Sequence, residues 1–113
     1  ILALRQVNKK DVNRYGIVGF ENKKQLKINK MIEKPKLKFA PSKFAIIGRY
    51  LLNKSIFKIL KKQKIGKLGE IQITDAMNSM LITENYYGCK FKGKYLDCGT
   101  IKGYIKSFIK INK

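Results

Sequence analysis

Met31-Ile32-Glu33-Lys34-Pro35 decides how this chain folds, because it brings a run of alternating residues to a stop at a proline. The run starts at Leu26, with Leu26, Ile28, Met31 and Ile32 as its apolar positions and a bulge or register change expected at Asn29-Lys30. Proline has no N–H to give to a sheet ladder, so the strand ends there. A carboxylate and an ammonium side by side at that end predict a polar site on the margin of a sheet.

Working outward, the strand has neighbours on both sides. Ile17-Val18-Gly19-Phe20 reads as a strand entered through a Tyr15-Gly16 turn, and the apolar residues at 1, 2, 4 and 7 read as an inner strand of a covered sheet. The polar stretch 8–13 between them has room for one helical turn. Downstream, a proline-bounded loop over 36–42 leads to a buried strand over 44–52, rich in β-branched and aromatic residues. Asn53-Lys54-Ser55 is placed to cap a helix with Ile56, Phe57, Ile59 and Leu60 on its apolar face. After Gly66 and Gly69, residues Ile73, Ala76, Met77, Met80 and Leu81 fall on one face of a second helix. Residues 86–91 and 94–96 predict two short strands joined at Gly93, and Ile101, Tyr104, Ile105 and Phe108 predict an amphipathic terminal helix. Strands interleaved with helices and joined by both direct and hairpin connections indicate an α/β domain with a mixed sheet.

The composition narrows the chemistry. A chain of 113 residues with 44% apolar content suffices for one small domain, not two. The net charge of +19 raises nucleic acid as a partner, but all but three of the 26 basic residues are lysine, dispersed along the chain. Base readout relies on forked arginine contacts, so nucleic acid is not expected; the charge suits small phosphorylated substrates. With two cysteines, Cys89 and Cys98, and no histidine, a tetrahedral zinc site lacks ligands, and two reduced, half-buried thiols are expected. Histidine bases and serine triads are excluded as well. No apolar run is long enough to span a membrane, and a cytoplasmic location is expected.

Of the seven acidic residues, Asp11, Glu21 and Glu84 sit in polar surroundings and are read as surface, and Asp75 as a helix cap. Glu33 and Asp97 each follow an apolar residue at an expected strand end, where ligand crevices of open α/β sheets lie. On the residues alone, Glu33-Lys34 could equally be a surface ion pair, and Asp97 a turn residue accepting backbone hydrogen bonds.

Several strings then carry a resemblance. Arg14-Tyr15-Gly16-Ile17-Val18, Ile32-Glu33-Lys34-Pro35, the segment from Ala40 to Tyr50, Gly69-Glu70-Ile71-Gln72-Ile73-Thr74-Asp75-Ala76, and Tyr95-Leu96-Asp97-Cys98-Gly99 with Gly103-Tyr104 follow one another in the order and approximate spacing of a known family. Over nearly its whole length the chain resembles the bacterial UTP-glucose-1-phosphate uridylyltransferases, or UDP-glucose pyrophosphorylases. The resemblance implies a Rossmann-like nucleotide-diphospho-sugar transferase fold, with this chain as its mixed-sheet part. It also implies transfer of a uridylyl group from UTP to glucose 1-phosphate, giving UDP-glucose and pyrophosphate with Mg²⁺, by an enzyme that is a homo-oligomer when intact. Carried over by position, the Gly16 backbone would approach the glucose ring, Glu33 would accept from sugar hydroxyls, Lys34 would pair with the sugar phosphate, and Asp97 would be a metal ligand. Arg49, Glu70 and Thr74 belong to the same strings in supporting roles.

Two departures stand out. Gly99 is followed by Thr100-Ile101-Lys102 where the family has a polar or acidic residue and then lysine. The family's glycine-rich G-x-G-T-R loop and its second metal-binding aspartate do not occur in these residues. Residues 1–113 are therefore expected to be the C-terminal part of one catalytic domain, with the nucleotide-binding part absent and little activity alone. A basic nucleic-acid-binding or scaffold remnant, and a nucleotidyltransferase with a different base or sugar preference, are the competing readings.

Overall fold

The structure, a computed structural model, describes residues 1–66 and 69–112. Strands β1 (Leu2–Gln6), β2 (Gly16–Asn22), β3 (Lys27–Glu33), β4 (Phe44–Tyr50) and β5 (Tyr86–Lys90) form one sheet; the helices are α1 (Ile56–Lys62), α2 (Ile73–Met80) and α3 (Ile101–Ile111). The sheet is mixed, as expected, with β1 parallel to β5 and the other pairings antiparallel. It is not open, however. The strands close on themselves in the order β1-β4-β2-β3-β5, so both edges of β1 are paired.

The ring is uneven, and its weak points matter. β2 meets β4 at a single register pair, Ile17 with Ala45, and the Ser42 hydroxyl reinforces the join by donating to the Val18 carbonyl at 2.6 Å and accepting from the Phe44 N–H at 2.9 Å. β3 pairs with β5 only at Lys27 and Ile28, which leaves the later part of that β3 edge without a strand. α2 covers it. Its Ala76, Met77 and Met80 are buried with Leu2, Leu4, Val18, Ile28 and Met31 in one core, against which Ile73 and Leu81 also pack.

Several local expectations change. Residues 9–14 make the expected helical turn, of 3-10 type, and the register shift in β3 falls between its pairings at Ile28 and Lys30. Residues 94–96 form no strand, so Asp97 lies in an irregular segment and not at a strand end. A run of Lys94-Tyr95-Leu96 between Gly93 and Gly99 is too short and too interrupted to compete for an edge in a ring already paired. Ser55 does not cap α1; its hydroxyl donates to Glu84 at 2.6 Å, which also removes Glu84 from the free surface. The N-cap of α2 is Gln72 and Asp75 sits in the first turn. Both cysteines are free, as expected, but exposed.

Candidate active site at the end of the β2–β3 pair

β2 starts where β3 stops. Gly16, the first residue of β2, is the register partner of Glu33, the last of β3, and the ladder continues one step as the Lys34 N–H donates to the Tyr15 carbonyl at 3.1 Å. This pairing is what the alternation up to Pro35 dictates, and it brings Gly16, Glu33 and Lys34 together as expected.

Glu33 does not pair with Lys34. Its Oε2 accepts from the buried Thr74 hydroxyl at 2.6 Å, while the ion pairs among the described residues are Arg14–Asp97 and Lys27–Glu21. That hydrogen bond accounts for the glycine at position 16. A Cβ there would lie 2.9 Å from Glu33 Oε2 and 3.2 Å from Thr74 Oγ1, so a side chain would displace the carboxylate before it met any ligand. Lys34 is exposed and adopts a left-handed backbone with φ of 42°, which costs a non-glycine residue about 1–2 kcal/mol. Pro35 behind it disfavours the right-handed helical region. Backbone held in a sparsely populated conformation recurs where function requires it. The Glu33 charge also reaches Tyr50 on β4, whose phenol is raised above its ordinary pKa by burial first and by Glu33 second.

Asp97 reaches the same place through Tyr15. The Tyr15 hydroxyl donates to Asp97 Oδ2 at 2.9 Å, Arg14 Nη2 donates to the same oxygen at 2.8 Å, and the Gly99 N–H donates to Oδ1 at 3.0 Å. One residue therefore touches both ends of the site, Lys34 with its carbonyl and Asp97 with its hydroxyl. These donors hold the Asp97 carboxyl below its ordinary pKa, the Gly99 amide most strongly, then Tyr15, with the Arg14 and Arg5 charges adding to them. Burial and Asp97 push the Tyr15 phenol up in turn. Around them the Arg5 guanidinium lies 5.2 Å from the Tyr95 ring, and Tyr15 meets Tyr95 edge-on at 6.5 Å. Gly103 is required here as well, since a Cβ would run into the Asp97 carbonyl oxygen.

With Oδ2 accepting two donors and Oδ1 one among the described residues, these leave a single acceptor position on Oδ1 for a cation. No group of three or more His, Cys, Asp or Glu gathers among the described residues, so Asp97 fits a hard divalent cation as one ligand and not as part of a protein cage. Beside Tyr15 runs a polar cleft of about 410 Å³, lined by Arg5, Lys9, Asp11 and Lys43, an approach that favours anions.

Thr74 thus contacts Glu33. The Glu70 carboxylate accepts from Gln72 at 3.1 Å, and Arg49 lines a separate cleft with Tyr95 and Leu96; among the described residues neither is hydrogen-bonded or ion-paired to Glu33. Sequence reasoning gave Arg14 and Tyr15 no role beyond a turn. The partner of both is Asp97, more than 80 residues later, and neither spacing nor periodicity encodes that contact.

The sequence matches the nucleotidyl transferase family over residues 1–113. It is 42% identical over 109 residues to a UTP-glucose-1-phosphate uridylyltransferase of Pseudomonas aeruginosa, covering 95% of this chain and 39% of that protein. With a UTP-glucose-1-phosphate uridylyltransferase of Mycoplasma genitalium it shares 43% over 110 residues, covering 94% of this chain and 38% of the relative. Its structure superposes on a UDP-glucose pyrophosphorylase crystallised with UDP-glucose at a TM-score of 0.91 and 39% identity, over 98% of this chain and 43% of that one. The chain thus spans about two-fifths of the length of these curated relatives.

Proposed function

This chain belongs to the nucleotidyl transferase family, and from that premise we propose that residues 1–113 are the sugar-phosphate side of a single UTP-glucose-1-phosphate uridylyltransferase catalytic domain. The observation that carries the reading is the end of β3, where Glu33 is fixed by Thr74 and Lys34 is turned outward on a strained backbone beside Gly16. A carboxylate only accepts hydrogen bonds, which suits sugar hydroxyls, and an exposed ammonium suits a phosphate.

In the reaction, a phosphate oxygen of glucose 1-phosphate attacks the α-phosphorus of UTP. The bond from that phosphorus to the oxygen bridging to the β-phosphate breaks, and pyrophosphate leaves with the electron pair. The attacking oxygen is already anionic, so no general base is needed, in keeping with a sequence that contains no histidine. Glu33 orients the sugar through its hydroxyls, Lys34 holds and neutralises its phosphate, and the Gly16 backbone leaves room beside them. Asp97 Oδ1 would hold Mg²⁺, and the ion when bound would offset charge developing at the α-phosphate. Arg14 and Tyr15 keep Oδ2 in place meanwhile. We further read the protein as cytoplasmic and homo-oligomeric; no helix among the described residues is long and apolar enough to cross a membrane.

Titration of the 113-residue chain with glucose 1-phosphate, followed by calorimetry, tests the reading. Saturable binding is expected, weakened about tenfold or more in Glu33→Ala and in Lys34→Ala, the size of losing a charge-assisted contact. No binding, or equal binding by all three proteins, overturns it. Pyrophosphate release from UTP and glucose 1-phosphate by this chain alone should be negligible, because the 113 residues contain no glycine-rich phosphate loop.

A further inference from the structure

α2 is joined to β3 by a matched pair of polar contacts. Where β5 has left the edge of β3, the Met31 N–H has no strand to donate to, and it donates instead to Asn78 Oδ1 at 2.7 Å. Four residues earlier on the helix, Thr74 Oγ1 donates to Glu33 Oε2 at 2.6 Å. Residues 74 and 78 are one turn apart, about 6 Å along the axis. Met31 and Glu33 are two residues apart on the strand, about 6.8 Å. The two spacings agree, so helix and strand meet in a single register, and a shift by a turn would lose both contacts at once.

The two contacts differ in what they satisfy. Asn78 takes a backbone donor that would otherwise be unpaired, which is a structural need. Glu33 is at a partly exposed strand end, where water could solvate its carboxylate, so the Thr74 bond is not required to satisfy it. Thr74 is only 4% exposed and spends its one O–H on this oxygen. The result is a carboxylate with Oε2 fixed and Oε1 accepting no hydrogen bond among the described residues.

We propose that Thr74 is a positioning residue for sugar recognition: its hydroxyl clamps Glu33 Oε2 so that Oε1 faces the ligand in one orientation, ready to accept from a hexose hydroxyl. This rests on the reading of Glu33 as the hydroxyl acceptor and extends it to α2, which becomes the back wall of the sugar subsite. Glutamate has three rotatable bonds, and fixing them before the ligand arrives removes an ordering cost from binding. Gly16 belongs to the same device, because any Cβ there would intrude on both oxygens of the clamp. The clamp acts on the sugar, while Lys34 and the phosphate lie outside it.

That separation gives the test. Affinities for glucose 1-phosphate and for inorganic phosphate are measured on the 113-residue chain and on Thr74→Val, Thr74→Ser, Glu33→Ala and the double variant Glu33→Ala/Thr74→Val, with a thermal melt of each. Thr74→Val keeps the shape and removes the hydroxyl, and it should weaken glucose 1-phosphate about tenfold. Phosphate binding should be unchanged, and Thr74→Ser should recover to within about twofold of the parent. Added to Glu33→Ala, the valine should bring no further loss. A residue that merely packs α2 would instead lower both affinities together, or neither, and either result overturns the proposal. If Glu33→Ala binds glucose 1-phosphate as the parent does, the reading of Glu33 itself has failed. If Glu33→Ala is weakened and Thr74→Val is not, the reading stands and the clamp does not. Should Thr74→Val fail to melt cooperatively, Thr74→Ala and Thr74→Ser carry the same comparison, and a serine that behaves like the alanine overturns the proposal.

Discussion

In α2 the apolar residues Ala76, Met77 and Met80 are all but sealed from solvent, whereas in α3 Ile101, Tyr104, Ile105 and Phe108 stand 83%, 58%, 51% and 59% exposed. The two helices have equally regular apolar stripes. What differs is the partner, because α2 lies along the uncovered edge of β3 and against α1, while Ser107 is the one buried residue of α3 among those described. α3 is held at its start by polar bonds instead: Thr100 Oγ1 caps it by accepting from the Gly103 N–H at 3.0 Å, and Asp97 Oδ1 accepts from Gly99 just before it. Periodicity states which face a helix can bury and says nothing of what is there to cover it. One helix is fixed by burial, the other by hydrogen bonds around a charge.

The largest test of that contrast is Met77→Ala. Met77 is fully buried at the centre of α2, and emptying such a site should cost about 2–5 kcal/mol in urea unfolding, enough to leave a chain of this size only marginally folded. A loss under about 0.5 kcal/mol would mean that α2 is not held by its apolar face, and the contrast with α3 would collapse.

Acid should act on the other helix. Asp97 has its folded pKa below its ordinary value, so the stability it gives is complete above the unfolded pKa and disappears as pH falls through the folded one. The expected window is therefore below about pH 4, the unperturbed aspartate value. Protonation weakens the bonds to Gly99, Tyr15 and Arg14 together, and the protection of the α3 amides from hydrogen exchange, taken relative to their intrinsic rates, should fall there before that of α2 does. Asp97→Asn should lower α3 protection already at neutral pH and remove its further loss in acid. A simultaneous fall of protection in both helices would show that the two are not separately held.

The same contrast marks what could be read from the residues. The alternation ending at Pro35 located β3, and the helical stripe over 73–81 named the face of α2, because both patterns are local and both meet the core. Glu33, Lys34 and Gly16 fall together since one hairpin register sets all three. Asp97 was expected at a strand end, and no strand forms before it; its bonds to Gly99, Arg14 and Tyr15 seat it instead. The closure of the sheet rests on β1 pairing with β5 far along the chain, Leu2 with Gly88, and the covering of β3 by Thr74 and Asn78 on contacts 41 and 47 residues apart; no spacing rule carries either. The family strings supplied those positions without their physical cause. Gly16 shows the difference, since the space its missing side chain would fill is occupied by Glu33 and Thr74.

The smallest expected effect is at Phe108. In the 113-residue chain Phe108→Ser removes a ring that is already mostly in water, so the change in unfolding free energy should stay within about 0.5 kcal/mol, the range of exposed sites. Serine and phenylalanine have similar helix propensities and the Thr100 cap is untouched, so α3 should keep its helicity. Protein concentration sharpens this measurement. If a second copy covers the stripe, the melting temperature of the parent chain rises with concentration and Phe108→Ser abolishes that rise, because self-association stabilises by mass action. A melting temperature independent of concentration in both proteins leaves α3 as it stands, an amphipathic helix anchored at one end by Asp97, with its apolar face uncovered.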